Sequence, residues 1–456
     1  METILIVIFV IGYLAIALEH KLKIDKLIPA LAMMVILWSI IAVAHLDVYD
    51  INTITKSLDS HDLESVLLHH LGKTAEILVF LLGAMVIVEI IDYFDGFSTI
   101  KTYVKTKQKV NLLWLFTTLG FLLSAIIDNL TATIVLITIV QKIVHDRELR
   151  LWYAGLIVIA TNAGGAWSPI GDVTTTMLWI AKKTTPSGLM IHVLLPAIIC
   201  YAVPVLIASR LSIFKGSIET SILFEEKSKS KFNIVMFYLG LTGILFVPIF
   251  KTFTHLPPYM GMMLSFAIVS IFAEYFNSSK FKNHEATNSN DIAQKSKSPL
   301  QYSLSKIELP SILFFLGILM AVAALESVGM LFEFAGVLEK SVPLLGTELH
   351  STHISDLVVL FLGIGSAIID NVPLVAASIG MFSIPIDEPA WHFIAYSAGT
   401  GGSLLIIGSA AGVVAMGMEK MDFFWYLKKI SWLALTGFLS GFAVFVLLRD
   451  FLLNHT

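Results

Sequence analysis

Mostly apolar runs recur along the chain near residues 2–19, 28–46, 76–94, 189–209, 232–250, 258–276, 309–330 and 430–449. Each approaches the length of about 20 residues that a helix needs to cross a bilayer. Four further stretches read differently. Residues 111–144 and 355–385 are long enough to enter and return, each with an Asp-Asn pair at its middle, whereas 151–181 and 390–418 are apolar runs interrupted by glycine clusters. The pattern predicts an all-α membrane protein of about ten transmembrane helices, with two re-entrant helical hairpins and two broken helices.

The distribution of basic residues supports this layout, because Lys and Arg collect on the cytoplasmic side of a membrane. With both termini outside, the inside loops are 20–27, 97–110, 142–150, 210–231, 277–306 and 419–429, and they hold 23 of the 30 basic residues. Lys56, Lys73, Lys182, Lys183, Lys251, Lys340 and Arg449 are left for the outside. The Ser-, Asn- and Lys-rich stretch 277–306 carries too few apolar residues to pack and reads as a mobile cytoplasmic linker.

Composition agrees. With 56% hydrophobic and 14% charged residues, the chain carries more apolar surface than one water-soluble core can hide, so the lipid bilayer is its solvent. The net charge of −4 says little by itself, since orientation depends on where Lys and Arg sit, and no nucleic-acid partner is suggested. The single cysteine, Cys200, lies in an apolar run and reads as a small core residue. Met1 and Glu2 lead straight into the first run without a basic segment or a small-residue cleavage site, the pattern of an uncleaved first span. The expected setting is a multi-pass protein of a bacterial inner membrane.

The hexapeptide Ser124-Ala125-Ile126-Ile127-Asp128-Asn129 recurs letter for letter as Ser366-Ala367-Ile368-Ile369-Asp370-Asn371. Around it, Phe80-Leu81-Leu82-Gly83 matches Phe314-Phe315-Leu316-Gly317, and Gly164-Gly165 with Gly171 matches Gly401-Gly402 with Gly408. A duplication into halves 1–209 and 232–456, joined by a cytoplasmic connector at 210–231, is the natural reading. Lys-rich loops flank the first hairpin and Lys-poor, acidic ones the second, so the two hairpins open to opposite sides and the repeats are inverted. Inverted repeats with interrupted helices near mid-membrane are a design of secondary transporters, since the halves can exchange conformations around one site.

The chemistry concentrates at those interruptions. A carboxylate at the bilayer centre costs about 2.5 to 3.5 kcal/mol even on lenient insertion scales, so one kept there faces a cavity, a partner or an ion. Asp128 and Asp370 sit where each hairpin turns and freed backbone carbonyls surround them, which suits a hard cation. Capping of a half-helix by Asp and Asn accounts for the same placement, and both roles can coexist. In the first break, Gly164, Gly165 and Gly171 permit close backbone approach and Pro169 withholds an N–H, while Asn162, Ser168, Asp172, Thr174 and Thr175 supply side-chain oxygens. For any one threonine, a bond to the preceding helical turn explains its presence equally well. The second break keeps glycines and hydroxyls, among them Thr400 and Ser403, without a carboxylate. A desolvated Asp that is ionised when it binds the cation and protonated when the cation leaves can exchange the two, and Asp128, Asp172 and Asp370 are the candidates. Glu89 and Glu326 on apolar helices are as well explained by snorkelling or interhelix contact. His69 and His70, on an amphipathic outside segment, read as solvated residues able to titrate.

The run Asp128-Asn129-Leu130-Thr131, followed by Asn162-Ala163-Gly164-Gly165-Ala166-Trp167-Ser168-Pro169-Ile170-Gly171-Asp172-Val173-Thr174-Thr175, resembles the NhaD-type sodium/proton antiporters. The likeness extends to Ser366 and Asp370-Asn371 in the second half. It implies exchange of sodium or lithium for protons without a cofactor, in a homodimer whose hairpins and broken helices move against a scaffold in an elevator-like cycle. It also implies a cation site on Asp128, Asn129, Asn162, Asp172, Thr174, Thr175, Ser366, Asp370 and Asn371, to which Thr131, Thr400 and Ser403 add nearby hydroxyls. The related carboxylate carriers typically have Ser-Asn-Thr at the hairpin tips. Asp in first place at both tips here disfavours an anionic substrate, and no Lys or Arg lies near either tip in sequence.

A sodium-coupled carboxylate symporter is the nearest competing reading. An intramembrane aspartyl protease would also use two buried aspartates, but the Gly-x-Gly-Asp motif of such enzymes is missing. A passive channel has no need of inverted hairpins. The expected class is a transporter rather than an enzyme.

Overall fold

The computed structural model describes residues 2–17, 22–52, 57–103, 106–218, 231–284, 298–307, 309–331, 333, 356–367, 371–382 and 384–453. In chain order the helices begin with α1 (Glu2–Ala17) and α2 (Leu27–Val43), followed by strands β1 (Val48–Asn52) and β2 (Ser57–His61). Then come α3 (Leu63–Tyr93), α4 (Lys109–Ile127), α5 (Asn129–Ile143), α6 (Arg147–Ala166), α7 (Val173–Ile180) and α8 (Pro186–Ala208). The second half contains α9 (Lys231–Thr254), α10 (Pro258–His284), α11 (Pro299–Lys306), α12 (Leu309–Ser327), α13 (Asp356–Gly365) and α14 (Asn371–Met381). It closes with α15 (Pro389–Gly401), α16 (Ala410–Glu419), α17 (Phe423–Lys429) and α18 (Ser431–Leu453). Seven of the described helices are long and apolar enough to cross a membrane, so the protein is a nearly all-helical, multi-pass membrane protein.

Local chemistry sets the helix starts. Asp62, Asp146, Thr185 and Asp422 each accept a backbone N–H as N-caps, and Pro186, Pro299 and Pro389 occupy first helical positions, where a missing N–H costs nothing. Leu, Ile, Val and Phe on the flanks of α1, α2, α9, α10 and α18 are exposed, as lipid-facing side chains must be. The packed interior is formed by α4, α5, α6, α13, α14 and α15, and α6 is buried along nearly its whole length.

The structure departs from the sequence reading in four places. The segment holding His69 and His70 is no separate surface helix: α3 is one helix of 31 residues, and His70 is 5% exposed, its ring 6.4 Å from that of Trp38. Asp62 caps this helix early and nothing between Leu63 and Ile77 breaks it, since Gly72 is tolerated in open space. An antiparallel pair, β1 with β2, adds strand to a fold expected to be all α. The linker expected at 277–306 is partly helical, because α10 continues to His284 and α11 begins at Pro299 behind a Ser298 cap whose hydroxyl also bonds the Glu274 carboxylate. Residues 285–297 lie outside the described residues, as do Asp370 and Lys340.

Arg449 is the fourth. Read as an outside cation, it is 1% exposed inside α18, with Nη1 donating to Asp356 of α13 at 2.6 Å and Nε to Asp450 at 3.1 Å. Removing one member of a buried pair strands the other's charge, at a cost of about 3 to 5 kcal/mol. Arg449→Ala is therefore expected to lower the melting temperature sharply, and Arg449→Met combined with Asp356→Leu to restore most of it. A melting curve of the single variant that matches the wild type would show that the pair does not hold α13 to α18.

Candidate cation site

The site is assembled where two helices end and restart. Helix α6 stops at Ala166 and α7 begins at Val173, while α15 stops at Gly401 and α16 begins at Ala410. Ser168 Oγ in the first interruption donates to Ala125 O at 2.6 Å, and Thr176 Oγ1 donates to the Pro169 carbonyl at 3.0 Å, which satisfies backbone freed by the break. A Cβ on Gly171 would stand 2.7 Å from Ser124 O, so the α4–α5 junction can approach only a glycine here.

Asp172 N-caps α7 from an extended backbone and is 3% exposed. Its Oδ1 accepts the backbone N–H of Thr174 at 2.9 Å and the Thr174 hydroxyl at 3.0 Å. Its Oδ2 accepts Asn129 Nδ2 at 2.6 Å and Asn371 Nδ2 at 3.2 Å. One buried carboxylate thus gathers an asparagine from each predicted hairpin, at the N-terminus of a half-helix. Asn162, fully buried in α6, accepts Asn129 Nδ2 on Oδ1 at 3.1 Å and donates from Nδ2 to Ser409 Oγ at 2.9 Å. Ser409 N-caps α16, so the network joins both interrupted helices.

Asp128 stands at the junction of α4 and α5 with φ 77°, and it N-caps α5. Its oxygens accept the Thr131 backbone N–H at 2.8 Å and the Thr131 hydroxyl at 3.0 Å. The capping role read from sequence is therefore realised, and it leaves lone pairs on both oxygens for a further ligand. Asn371 opens α14 directly after Asp370, which is not among the described residues.

The remaining candidate hydroxyls donate to backbone carbonyls. Thr175 Oγ1 donates to Asp172 O at 3.0 Å, Thr400 Oγ1 to Tyr396 O at 2.6 Å and Ser403 Oγ to Thr400 O at 2.6 Å. Ser366 Oγ reaches Ala398 O at 2.8 Å, and Ser124, its counterpart in the repeated hexapeptide, reaches Thr161 O at 2.6 Å. Sequence reasoning passed over Ser124 and Ser409. The available signal was positional: aligning Gly171 with Gly408 sets Ser409 opposite Asp172.

The same contacts recur in the two halves. A Cβ on Gly164 would overlap the Phe121 carbonyl oxygen, and one on Gly401 the Gly363 carbonyl oxygen. A Cβ on Gly165 would lie 2.6 Å from Gly171 O, and one on Gly402 would lie 2.8 Å from Gly408 O.

Comparison with known proteins places these residues in context. The sequence profile of the citrate-transporter family, CitMHS, matches residues 13–392. Sodium/proton antiporter 1 of Arabidopsis thaliana is 39% identical over 451 residues, covering 97% of this chain and 72% of the relative. Sodium/proton antiporter 2 of the same plant is 36% identical over 451 residues, 97% of this chain and 99% of the relative. The Na(+)/H(+) antiporter NhaD of Vibrio cholerae is 29% identical over 464 residues, 99% of this chain and 91% of the relative.

Proposed function

The chain belongs to the citrate-transporter family and, within it, to the NhaD-type sodium/proton antiporters, and from that premise we propose that it exchanges sodium or lithium ions for protons. The observation that carries the reading is the buried Asp172 carboxylate, held by Asn129 and Asn371 from the two hairpins. An asparagine amide carries donor and acceptor on one rotor. With no cation bound, the NH₂ groups of Asn129 and Asn371 compensate the carboxylate. When a cation arrives, the amides turn to present oxygen, and with the Asn162 oxygen and Asp172 they surround a hard monovalent ion. A proton on Asp172 or Asp128 removes the charge that holds the cation, so the two ligands compete for one site. Thr131, Thr174, Thr175, Ser366, Thr400 and Ser403 keep the surrounding backbone in place and offer spare lone pairs, with Asp370 the second hairpin's counterpart of Asp128.

Alternating access is proposed to arise from two inverted repeats, whose hairpins and broken helices travel as one unit in an elevator-like motion within a homodimer. The matched glycine approaches at Gly164 and Gly401, and the matched serine bonds of Ser124 and Ser366, support the repeat. The Lys and Arg distribution supports termini on the outside, of a bacterial inner membrane in our reading.

The test is dequenching of a trapped pH-sensitive dye in proteoliposomes, with sodium, lithium, potassium, citrate and dicarboxylates offered in turn. Sodium is expected to move protons in the wild type, and Asp128→Asn to reduce this at least about tenfold at unchanged melting temperature, because Asn caps a helix as well as Asp but carries no charge. Uptake of citrate or a dicarboxylate with sodium, and no proton movement with sodium alone, would replace this reading with carboxylate symport.

A further inference from the structure

One buried titratable side chain has no part in the cycle above. His392, in the first turn of α15, is 0% exposed, and neither ring nitrogen has a hydrogen-bond partner among the described residues. Its ring lies flat on that of His192 in α8, with centroids 4.5 Å apart and an interplanar angle of 4°. Asp387 Oδ1 stands 3.4 Å from His392 Nε2. The same Asp387 joins two loops: its backbone N–H donates to Lys183 O at 2.9 Å, and its Oδ1 accepts the Thr185 N–H at 2.7 Å. Gly188 makes the approach possible, since a Cβ there would overlap Asp387 Oδ1 and lie 2.8 Å from His392 Cε1. His192 Nδ1 lies 2.9 Å from Gly188 O, a contact that requires its proton on Nδ1. The cluster thus ties residues 183–188, which follow the half-helix capped by Asp172, to residues 387–392, which begin the second interrupted helix.

Protonating His392 in this closed arrangement would place a charge in a dry interior, with a second imidazole stacked on the ring. The charge environment offers little compensation. Among the described residues the carboxylate facing the ring is Asp387, and its Oδ1 also accepts from Thr185. Glu388 adjoins it, and Lys183 Nζ lies over the Trp391 ring at 4.8 Å. Of the helices packed on α15, α8 brings His192, α7 and α14 bring no charged residue, and α6 brings only Arg147, Glu148 and Arg150 at its far end. Asp356 of α13 and Arg449 and Asp450 of α18 are paired with one another.

We propose that His392, His192 and Asp387 form a proton-operated latch, separate from the aspartate site, that closes on neutral His392 and is opened by its protonation. Once the loops part, the imidazole is wet and titrates near about 6.5. The closed latch excludes that proton, so closure is complete above about pH 6.5 and is lost as the pH falls below it. The proposal stands on this cluster alone and does not depend on which ion is exchanged.

The experiment uses the full chain in lipid nanodiscs with its one cysteine replaced, Cys200→Ser, and a reporter thiol introduced in the latch loop by Thr184→Cys, a site 1% exposed. Labelling by a thiol reagent is read relative to a chain carrying Thr252→Cys at an exposed position, so that the thiolate fraction largely cancels. The ratio is expected to rise about tenfold from pH 7.5 to pH 5.5, and to stay flat when His392→Gln or His392→Leu is added. A flat ratio in the His392 chain would overturn the latch, whether or not the variants fold. The same rise in either variant would overturn it too, by assigning the opening to another group. Sodium transport is not measured, so failure of the exchange reading leaves this result intact.

Discussion

Asp172→Asn is expected to lower sodium-driven proton movement at least about 100-fold, equivalent to about 2.8 kcal/mol at 1.4 kcal/mol per decade, while leaving the protein folded. The charge is the one thing the substitution removes. Asn caps a helix start as well as Asp, so the Thr174 N–H at 2.9 Å keeps its acceptor. The amides of Asn129 and Asn371 can turn and pair with an amide as readily as with a carboxylate. A cation brought to the site would then lose the carboxylate on which the two hairpin asparagines converge, and Asp172 could no longer take the returning proton. Asp172→Ala removes cap and charge together, so it should lose both transport and melting temperature. Measuring the Asn variant by dye dequenching and by thermal melting separates the two roles. Exchange within about threefold of wild type in a well-folded Asp172→Asn protein would remove Asp172 from the mechanism and shift the burden to Asp128.

How far the site could be read in advance depended on what kind of information each part needed. The positions of the breaks were legible, because Gly164, Gly165, Pro169 and Gly171 each change what the backbone can do, and such effects are local. The junction at Asp128 was legible for the same reason and because the hexapeptide is repeated. Which side chains meet was not. Asn129, Asn162 and Asp172 share a network across sequence separations of 33 and 43 residues, and Asn162 reaches Ser409 across 247. Those pairings depend on how helices pack. Hydroxyls illustrate the limit: Thr400 and Ser403 sit in the second break as Thr174 sits in the first, yet their protons go to backbone carbonyls of their own segment, a choice between rotamers that spacing does not encode.

The fold shows the same division. Apolar runs located the long helices, because lipid demands length and hydrophobicity and little else. The strands at 48–61 escaped notice because they carry no tight-turn dipeptide and mix Asp, Asn and Ser with apolar residues. The buried pairing of Arg449, which the sequence placed only on the outside, was not legible because its partner, Asp356, is 93 residues away and on another helix. His70 read as solvated because the start of α3 was placed after it, and a few residues of helix decide whether a ring faces water or Trp38.

The largest stability effect is expected from Gly164→Ala and Gly401→Ala. At Gly164 the new Cβ would overlap the Phe121 carbonyl oxygen and lie 2.8 Å from the Phe121 carbonyl carbon and Cα. At Gly401 it would overlap the Gly363 carbonyl oxygen and lie 2.7 Å from that carbonyl carbon. These are backbone atoms of helices, unable to swing aside as a side-chain tip can, so α4 must part from α6, or α13 from α15. Overpacking with movable neighbours costs about 1 to 3 kcal/mol, and here the cost should exceed that range. Either variant is expected to melt more than about 10 °C below wild type or to be lost from the membrane fraction. Gly72→Ala and Gly417→Ala, where nothing lies within 4 Å of the new Cβ, make the same chemical change in open space. They should melt at or slightly above the wild type, since Ala favours helix over Gly by about 1 kcal/mol. If Gly164→Ala and Gly72→Ala melt alike, the close crossing of α4 and α6 is wrong, and with it the placement of Ser124, Asn129 and Asn162 around Asp172.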